Sequence, residues 1–212
     1  MTQPKRFQFT STDGLSVACV KWVRPQHVRG VVQIAHGLGE HMGRYAELAE
    51  TLLEDELAVY GNDHRGHGLT AKPSGSFGDF GPGGFNQLVE DMVSLRVVAK
   101  DEHPGKPYIL LGHSLGSFAA QQFVLDHGHS IDGLVLSGSG TLDGLARVAQ
   151  SVPAGEDPMK LMNAAFRASS HAFRLAKSGQ RGGRCFHQRP ALLSKPQARI
   201  DAVVPGRLPA TG

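Results

Sequence analysis

Short apolar runs alternate with amphipathic segments through most of this chain, and this alternation constrains the fold more than any other feature. Apolar runs with the length and composition of buried strands occupy residues 30–35, 57–60, 108–111 and 131–136. Segments with helical spacing follow the first three runs, at residues 45–53, 85–101 and 117–126. Because parallel strands need long crossover connections, usually helices, the pattern predicts an α/β fold: a mostly parallel sheet with helices on both faces.

The two ends of the chain have different patterns. Residues 7–10 and 15–23 alternate around Asp13-Gly14, which predicts an N-terminal β-hairpin. After Ser139 helical spacing continues without another strand-like run, and the last segment is interrupted by Gly, Ser, Arg and Pro. We therefore predict a core in residues 1–140, the start of a second helical layer in 141–166, and a non-native or disordered basic tail in 167–212.

Length and composition predict a single globular domain with its own core. The chain has 212 residues, 40% of them hydrophobic, and no apolar run of membrane-spanning length. The residues before the first strand lack the apolar stretch of a secretory signal. Cys19 and Cys185 suggest neither a disulfide framework nor a metal site. We expect a cytoplasmic protein that uses no metal ion or other cofactor.

The net charge of +3 conceals an asymmetry. Residues 167–212 carry nine Lys and Arg and one acid, a net of +8, which leaves 13 basic and 18 acidic groups, a net of −5, for residues 1–166. A basic tail can bind nucleic acid or an anionic membrane. This tail lacks interleaved aromatic residues and a recognisable binding motif, so we expect no nucleic-acid partner.

The pentapeptide Gly112-His113-Ser114-Leu115-Gly116 lies between a strand pattern and a helix pattern. G-x-S-x-G in that context predicts a nucleophile elbow, in which a strained turn presents the Ser114 hydroxyl above the sheet. The backbone N–H groups at the start of the following helix favour developing negative charge.

Two more loops rich in Gly, His and charge follow predicted strands, at residues 36–44 and 62–70. Ligands of open α/β sheets bind at the carboxyl ends of the strands. Since all three loops leave such ends, we expect them to converge on one site.

These motifs resemble those of the α/β-hydrolase superfamily. The resemblance is carried by His36-Gly37-Leu38-Gly39-Glu40-His41 with Arg44-Tyr45, by Asp63-His64-Arg65-Gly66-His67-Gly68 and by the Ser114 pentapeptide, in family order and over roughly residues 10–166. More narrowly, the chain is similar to the monoacylglycerol lipase and lysophospholipase group of the serine-aminopeptidase-like hydrolases. Such proteins act on lipid or small ester substrates and need no cofactor.

The resemblance implies a role for each motif residue. Ser114 would be the nucleophile, and the backbone N–H groups of Leu38 and Leu115 would form the oxyanion hole. The resemblance implies loop support by a further six residues: His36, Glu40, Arg44, Asp63, Arg65 and His113. Residues 141–166 would begin a helical cap, which in this family shapes an acyl pocket and often touches membranes, so a peripheral membrane location is also expected.

The chain departs from the family pattern after the elbow. A serine nucleophile needs a histidine base and an orienting acid, which in this fold follow the serine on late strands. Asp126, His127 and His129 lie on or just after the elbow helix, and Asp157, His171 and His187 lack the expected strand or loop context. We predict that the triad acid and histidine, and the last sheet strands, are not present in this chain.

A shifted reading frame would explain the tail. With suitable synonymous codons, residues 171–193 read one nucleotide downstream encode a peptide that resembles the cap segment of this family. We hypothesise that the chain from about Arg167 is a frameshifted product, which the coding DNA can test.

The remaining alternatives are a weakly active or inactive serine hydrolase and a non-catalytic α/β-hydrolase-like binding protein that retains the acyl pocket. Esterase, lysophospholipase, haloperoxidase-like and peptidase chemistry all stay open.

Overall fold

The structure, a computed structural model, describes residues 2–24 and 27–151. Six strands form one sheet: β1 (Lys5–Thr10), β2 (Ser16–Trp22), β3 (Gly30–Ala35), β4 (Leu57–Asn62), β5 (Tyr108–His113) and β6 (Gly133–Ser137). The α-helices are α1 (Ala46–Glu54), the single turn α2 (Gly68–Ala71), α3 (Gly84–Glu102), α4 (Leu115–His127) and α5 (Leu142–Ser151). Short 3₁₀ turns occupy Met42–Tyr45 and Gly128–Ser130.

The sheet order is β1-β2-β4-β3-β5-β6, and the predicted topology is confirmed. β3, β4, β5 and β6 run parallel, with Val32 opposite both Val59 and Ile109. The predicted hairpin of β1 and β2 is antiparallel and joins the sheet through the pairing of β2 with β4. The carboxyl ends of the parallel strands therefore share one edge of the sheet.

Helices cover both faces of the sheet, as predicted. β3 is buried along its whole length, so its successive side chains enter two different cores. Val32 and Ile34 pack in the cluster that holds Ala49 and Leu53 of α1. On the opposite face α3 and α4 contribute Leu88, Met92, Ala119 and Phe123 to a core that includes Ala35.

The structure corrects several predicted boundaries. β5 extends to His113 because Gly112 and His113 pair with Leu136 and Ser137 of β6, and α4 begins at Leu115 rather than at residue 117. Sequence periodicity missed α2, which is a single turn too short for a periodic signal.

The strand predicted at 131–136 is β6, and it is exposed in the part of the chain that the structure describes. Leu134, Val135 and Leu136 of β6 are 38%, 45% and 39% exposed. β6 is the edge strand among the described residues, so one of its sides has no strand partner there. The predicted tail and most of the predicted cap lie outside the described residues. Within them, no helix is both long and apolar enough to cross a membrane.

Candidate active site

Ser114 occupies a sharp turn between β5 and α4. Its backbone has φ 50° and ψ −118°, a conformation that L-residues with a side chain rarely adopt. Ser114 N–H donates to the Ser137 carbonyl at 2.9 Å, and the Ser114 carbonyl accepts from Ser117 Oγ at 2.7 Å and from the Ser117 N–H at 2.8 Å. The geometry is the strained strand–turn–helix that the motif predicts.

The two glycines of the pentapeptide are required by close backbone contacts. A Cβ atom on Gly112 would lie 2.4 Å from the Gly116 carbonyl oxygen. A Cβ atom on Gly116 would lie 2.1 Å from the carbonyl oxygen of Ala35 and 2.6 Å from that of His36. The start of α4 therefore packs directly on the end of β3, where the loop of residues 36–41 begins.

Two backbone N–H groups near this turn lack an acceptor. The N–H of Leu115 is the first of α4, and the N–H of Leu38 lies in the loop after β3. Within residues 2–24 and 27–151, neither of these groups donates a hydrogen bond. Donors of this kind can stabilise a developing oxyanion because they are already oriented when the charge appears.

Glu40 holds the loop that carries Leu38. Its Oε2 atom accepts hydrogen bonds from the Gly37 N–H at 3.0 Å and from the Tyr45 hydroxyl at 2.7 Å, and its Oε1 atom lies 3.0 Å from Arg44 Nη1. Burial alone would raise the pKa of Glu40, but these hydrogen bonds and the Arg44 charge lower it below its ordinary value. Glu40 thus contacts Gly37, Arg44 and Tyr45 at once.

His36 joins the first loop to the second. Its Nδ1–H donates to the Gly37 carbonyl at 2.8 Å, and its Nε2 accepts from the backbone N–H of His64 at 2.9 Å. Burial lowers the pKa of His36 to about 4. The ring is therefore neutral near pH 7, as a histidine with one donating and one accepting nitrogen must be.

Asp63 fixes the turn after β4. Its Oδ1 accepts from the Met42 N–H at 2.7 Å and its Oδ2 from the Leu69 N–H at 2.8 Å. A side chain on Gly68 would collide with this carboxylate, since a Cβ atom there would lie 2.2 Å from Oδ2. Asp63 thus connects the 3₁₀ turn after the first loop to α2.

Arg65 is 2% exposed and every arm of its guanidinium is bonded. Nε and Nη2 contact Asp91 on α3 at 2.8 and 3.2 Å, and Nη1 contacts Asp13 of the β1–β2 turn at 2.8 Å. The Phe80 carbonyl and the Ser11 hydroxyl complete the shell. The Arg65 hydrogen bonds lower the pKa of Asp13 to about 2.

Sequence analysis missed the partners of Arg65. Asp91 follows Leu88 by three residues and precedes Leu95 by four, so it lies on the buried face of α3. An acidic residue on an otherwise apolar helix face indicates a buried cation nearby. Asp91 was therefore the signal in the sequence that could have predicted the buried Arg65.

His113 lies beside the first loop, as expected for a support. Its Nδ1 is 3.2 Å from Ser137 Oγ, and its Cδ2 lies 3.3 Å from the position of a Cβ atom on Gly37. It touches both the loop that carries Leu38 and the end of β6.

The rejected triad candidates in the described region are far from Ser114 or engaged elsewhere. Asp126 and His127 lie at the far end of α4, about 18 Å along the helix from its start. Asp132 accepts from the Tyr108 N–H at 2.7 Å, at the opposite end of β5 from Ser114. Within residues 2–24 and 27–151 the Ser114 hydroxyl has no hydrogen-bond partner. Asp157, His171 and His187 lie outside the described residues.

Comparison with known proteins decides the family. The family model described as serine aminopeptidase, S33, a hydrolase family, matches residues 26–185. The chain belongs to this family. Its sheet and helices have the α/β-hydrolase fold.

Several relatives of this S33-type chain are lipases and esterases. Monoacylglycerol lipase of Mycolicibacterium smegmatis is 34% identical over 61% of this chain and 45% of that protein. Human monoglyceride lipase is 32% identical over 59% of this chain and 40% of its own length. The chain therefore spans less than half the length of these curated relatives.

Solved structures support the same fold. A thermostable carboxyl esterase from Bacillus coagulans aligns with a TM-score of 0.64 and 30% identity over 78% of this chain and 56% of that one. A soluble variant of monoglyceride lipase from Saccharomyces cerevisiae aligns with a TM-score of 0.53 and 26% identity over 64% of this chain and 44% of its own.

Proposed function

We propose that the site is that of a serine hydrolase for carboxylic esters, with Ser114 as the nucleophile. The observation that carries the proposal is the strained Ser114 turn packed on the end of β3. The N–H of Leu115, the next residue, and the N–H of Leu38, three residues after β3 ends, have no acceptor in the described region. Six side chains hold the loops that present these groups: those of His36, Glu40, Arg44, Asp63, Arg65 and His113.

The proposed chemistry is acyl transfer. Ser114 Oγ attacks the ester carbonyl carbon and loses its proton to a base, and the negative charge on the carbonyl oxygen is stabilised by the N–H groups of Leu38 and Leu115. The C–O bond to the alcohol then breaks, the alcohol leaves with a proton, and an acyl-enzyme remains. Attack by water on that ester releases the carboxylic acid and regenerates Ser114.

We further propose that this chain performs the reaction slowly or not at all. Sequence analysis finds no suitable triad acid or histidine after Ser114, and none of the described residues hydrogen-bonds to its hydroxyl. Loss of triad members leaves a residual rate that depends on the oxyanion hole and on binding, several orders of magnitude below that of a complete site.

A lipid ester is the proposed substrate class, with monoacylglycerol or lysophospholipid as the leading candidates. The similarity to monoacylglycerol and monoglyceride lipases supports monoacylglycerol. We also propose that residues 141–166 begin a cap that contacts membranes peripherally. Cys19 is a buried free thiol, which supports a reducing, cytoplasmic location.

Labelling with a fluorophosphonate probe tests the nucleophile. We expect slow adduct formation by intact mass, abolished by Ser114→Ala and retained by Ser94→Ala, a control at a half-buried serine of α3. Labelling complete within minutes would overturn the expectation of weak activity. An adduct that persists in Ser114→Ala would show that Ser114 is not the nucleophile, and no adduct after long incubation would favour the non-catalytic candidate.

A non-catalytic binding protein is the second candidate, favoured by the unpartnered Ser114 hydroxyl. It predicts that a non-hydrolysable monoacylglycerol ether binds to the chain and to Ser114→Ala with equal affinity, without any covalent labelling. Measurement of both properties on one preparation distinguishes the candidates.

A further inference from the structure

A polar pocket of about 640 Å³ lies at the opposite end of the parallel strands from Ser114. Arg29 precedes β3, Glu56 precedes β4 and Lys106 precedes β5, so the pocket lies at the amino ends of the parallel strands. Because β5 has six residues, its two ends are about 20 Å apart. The volume is in the range of pockets that hold small molecules, about 300–1,000 Å³.

The pocket carries an excess of positive charge. Its permanently charged cations are Lys5, Lys21, Arg29 and Lys106, and its two carboxylates belong to Glu56 and Glu102. Four cations against two carboxylates leave a net charge of +2 while His27 and His103 are neutral. Such a cavity attracts anions.

One of the two carboxylates is already engaged. Glu102 forms an ion pair with Lys21 and accepts a hydrogen bond from the Tyr60 hydroxyl at 2.8 Å. Burial raises the pKa of Glu102, but these hydrogen bonds outweigh it and lower the pKa, so the group stays ionised. Glu102 therefore neutralises Lys21 and not the rest of the pocket.

Three cations remain without a partner. In the described ranges Lys5, Arg29 and Lys106 form no ion pair, either with Glu56 or with any other acid. They come from three segments that are far apart in sequence. Arg29 and Lys106 precede the paired residues Val31 and Tyr108 of β3 and β5, so their like charges repel each other, and a bound anion would remove that repulsion.

His103 adds a group that responds to an anion. Tyr60 donates to Glu102, so the His103 nitrogen that lies 2.9 Å from the Tyr60 oxygen, Nε2, carries a proton and donates it there. Burial lowers the pKa of His103, and Lys21 and Lys106 lower it further against the opposing charge of Glu102. Negative charge in the pocket would favour protonation of the free Nδ1.

We propose that this pocket binds a small phosphorylated molecule, with the phosphate at Arg29 and Lys106. A phosphomonoester carries about −2 charge near pH 7 and three strong acceptor oxygens, which match the net charge of the pocket better than one carboxylate does. Val23 and Val28 would contact the rest of the ligand. A soluble phosphomonoester and the headgroup of phosphatidic acid share this chemistry.

Titration calorimetry with glycerol 3-phosphate and with inorganic phosphate tests the site. The pocket variant is Arg29→Ala/Lys106→Ala, and the matched control, Arg6→Ala/Lys72→Ala, removes two exposed charges from elsewhere. We expect the pocket variant to bind at least about tenfold more weakly, as loss of charge-assisted hydrogen bonds implies, and the control to bind like the parent. The binding heat should also depend on the ionisation enthalpy of the buffer, because His103 takes up a proton.

Vesicle flotation separates the two sources of phosphate. Binding to phosphatidylcholine vesicles that contain phosphatidic acid, but not to pure phosphatidylcholine, with loss in the pocket variant, would assign the site to a lipid headgroup. Equal binding by the pocket variant and the control, or no binding of any of these probes, would overturn the proposal. Circular dichroism checks that each variant folds, and the single variant Arg29→Ala is a milder substitute. Ser114→Ala should bind the phosphate probes unchanged, so the test is independent of the proposed hydrolase activity.

Discussion

Ser114 shows how strongly a single backbone position can be determined by its neighbours. Its φ of 50° costs about 1–3 kcal/mol and persists because the surrounding contacts leave no alternative. Gly116 supplies the tightest of these contacts, against the carbonyl groups of Ala35 and His36. The G-x-S-x-G spacing made this arrangement predictable, because a turn this tight tolerates no Cβ at either glycine.

Gly116→Ala should therefore destabilise the protein by about 2–3 kcal/mol, the range typical of an overpacked interior. The added Cβ would lie 2.1 Å from the Ala35 carbonyl oxygen, so the backbone must shift. Urea unfolding measures the loss. Gly128→Ala is the control, since its Cβ meets only Val124 Cγ1 at an ordinary 3.4 Å, and it should change stability by less than about 0.5 kcal/mol. Similar effects of the two substitutions would contradict the packing argument.

His36, His64 and His67 form a buried cluster whose charge state links stability to pH. Burial lowers the pKa of all three, that of His36 to about 4. The unfolded chain binds protons to these rings below about pH 6.5, whereas the folded state does not, so stability falls as the pH drops from about 6.5 to 4. Each ring contributes up to about 1.4 kcal/mol per pH unit.

Urea unfolding at several pH values measures this slope. His36→Gln should flatten it between pH 6.5 and 5, whereas His129→Gln, which changes an exposed ring, should leave it unchanged. Carboxylates with a lowered pKa, such as Asp13 and Glu40, add to the slope only below about pH 5, so the comparison is made above that pH. An unchanged slope in His36→Gln would mean that His36 does not carry the linkage.

At the level of elements, Arg65 joins the β1–β2 turn, the loop after β4 and helix α3. The strands, the main helices and the convergence of three loops could be predicted, because periodicity and turn residues are local signals. The partners of Arg65 could not, because Ser11 and Asp91 are 80 residues apart and Asp13 and Arg65 are 52 apart. The exposure of β6 follows from its place at the edge of the described sheet, which its own apolar composition does not reveal.

Asp91→Ala should destabilise the protein by about 3–5 kcal/mol, because it leaves the buried Arg65 guanidinium without its main counter-charge. Asp13→Ala should cost clearly less, since the Asp13 side chain is 35% exposed and Arg65 keeps Asp91. Urea unfolding of both variants and of Arg65→Met/Asp91→Leu measures the difference. The double variant should recover much of the loss, and no recovery would indicate that Asp91 acts through packing alone.

For the whole molecule, β6 is the least protected part of the described sheet. An edge strand offers unpaired N–H and C=O groups, and here it also exposes three apolar side chains in a row. The other edge, β1, carries Lys5 and Arg6, charges that discourage pairing. The two edges therefore differ in their tendency to recruit another chain.

Val135→Lys should reduce self-association, because a charge on an edge strand opposes pairing with a second copy. Light scattering over a range of protein concentrations measures the amount of large species. Leu125→Lys makes the same change at a residue that is 71% exposed on α4 and should have little effect. If both variants suppress association equally, general charge rather than the β6 edge is responsible.

The contact of Gly116 with Ala35 and His36 has a consequence for how such a protein diversifies. The loop after β3 and the turn at Ser114, which in the proposed reaction would both contact the carbonyl oxygen of the ester, meet through main-chain atoms. Substitution of side chains elsewhere therefore leaves the distance between them unaltered. Substitutions in the segments above the sheet can then change which acyl group binds, while the geometry proposed for ester cleavage stays the same.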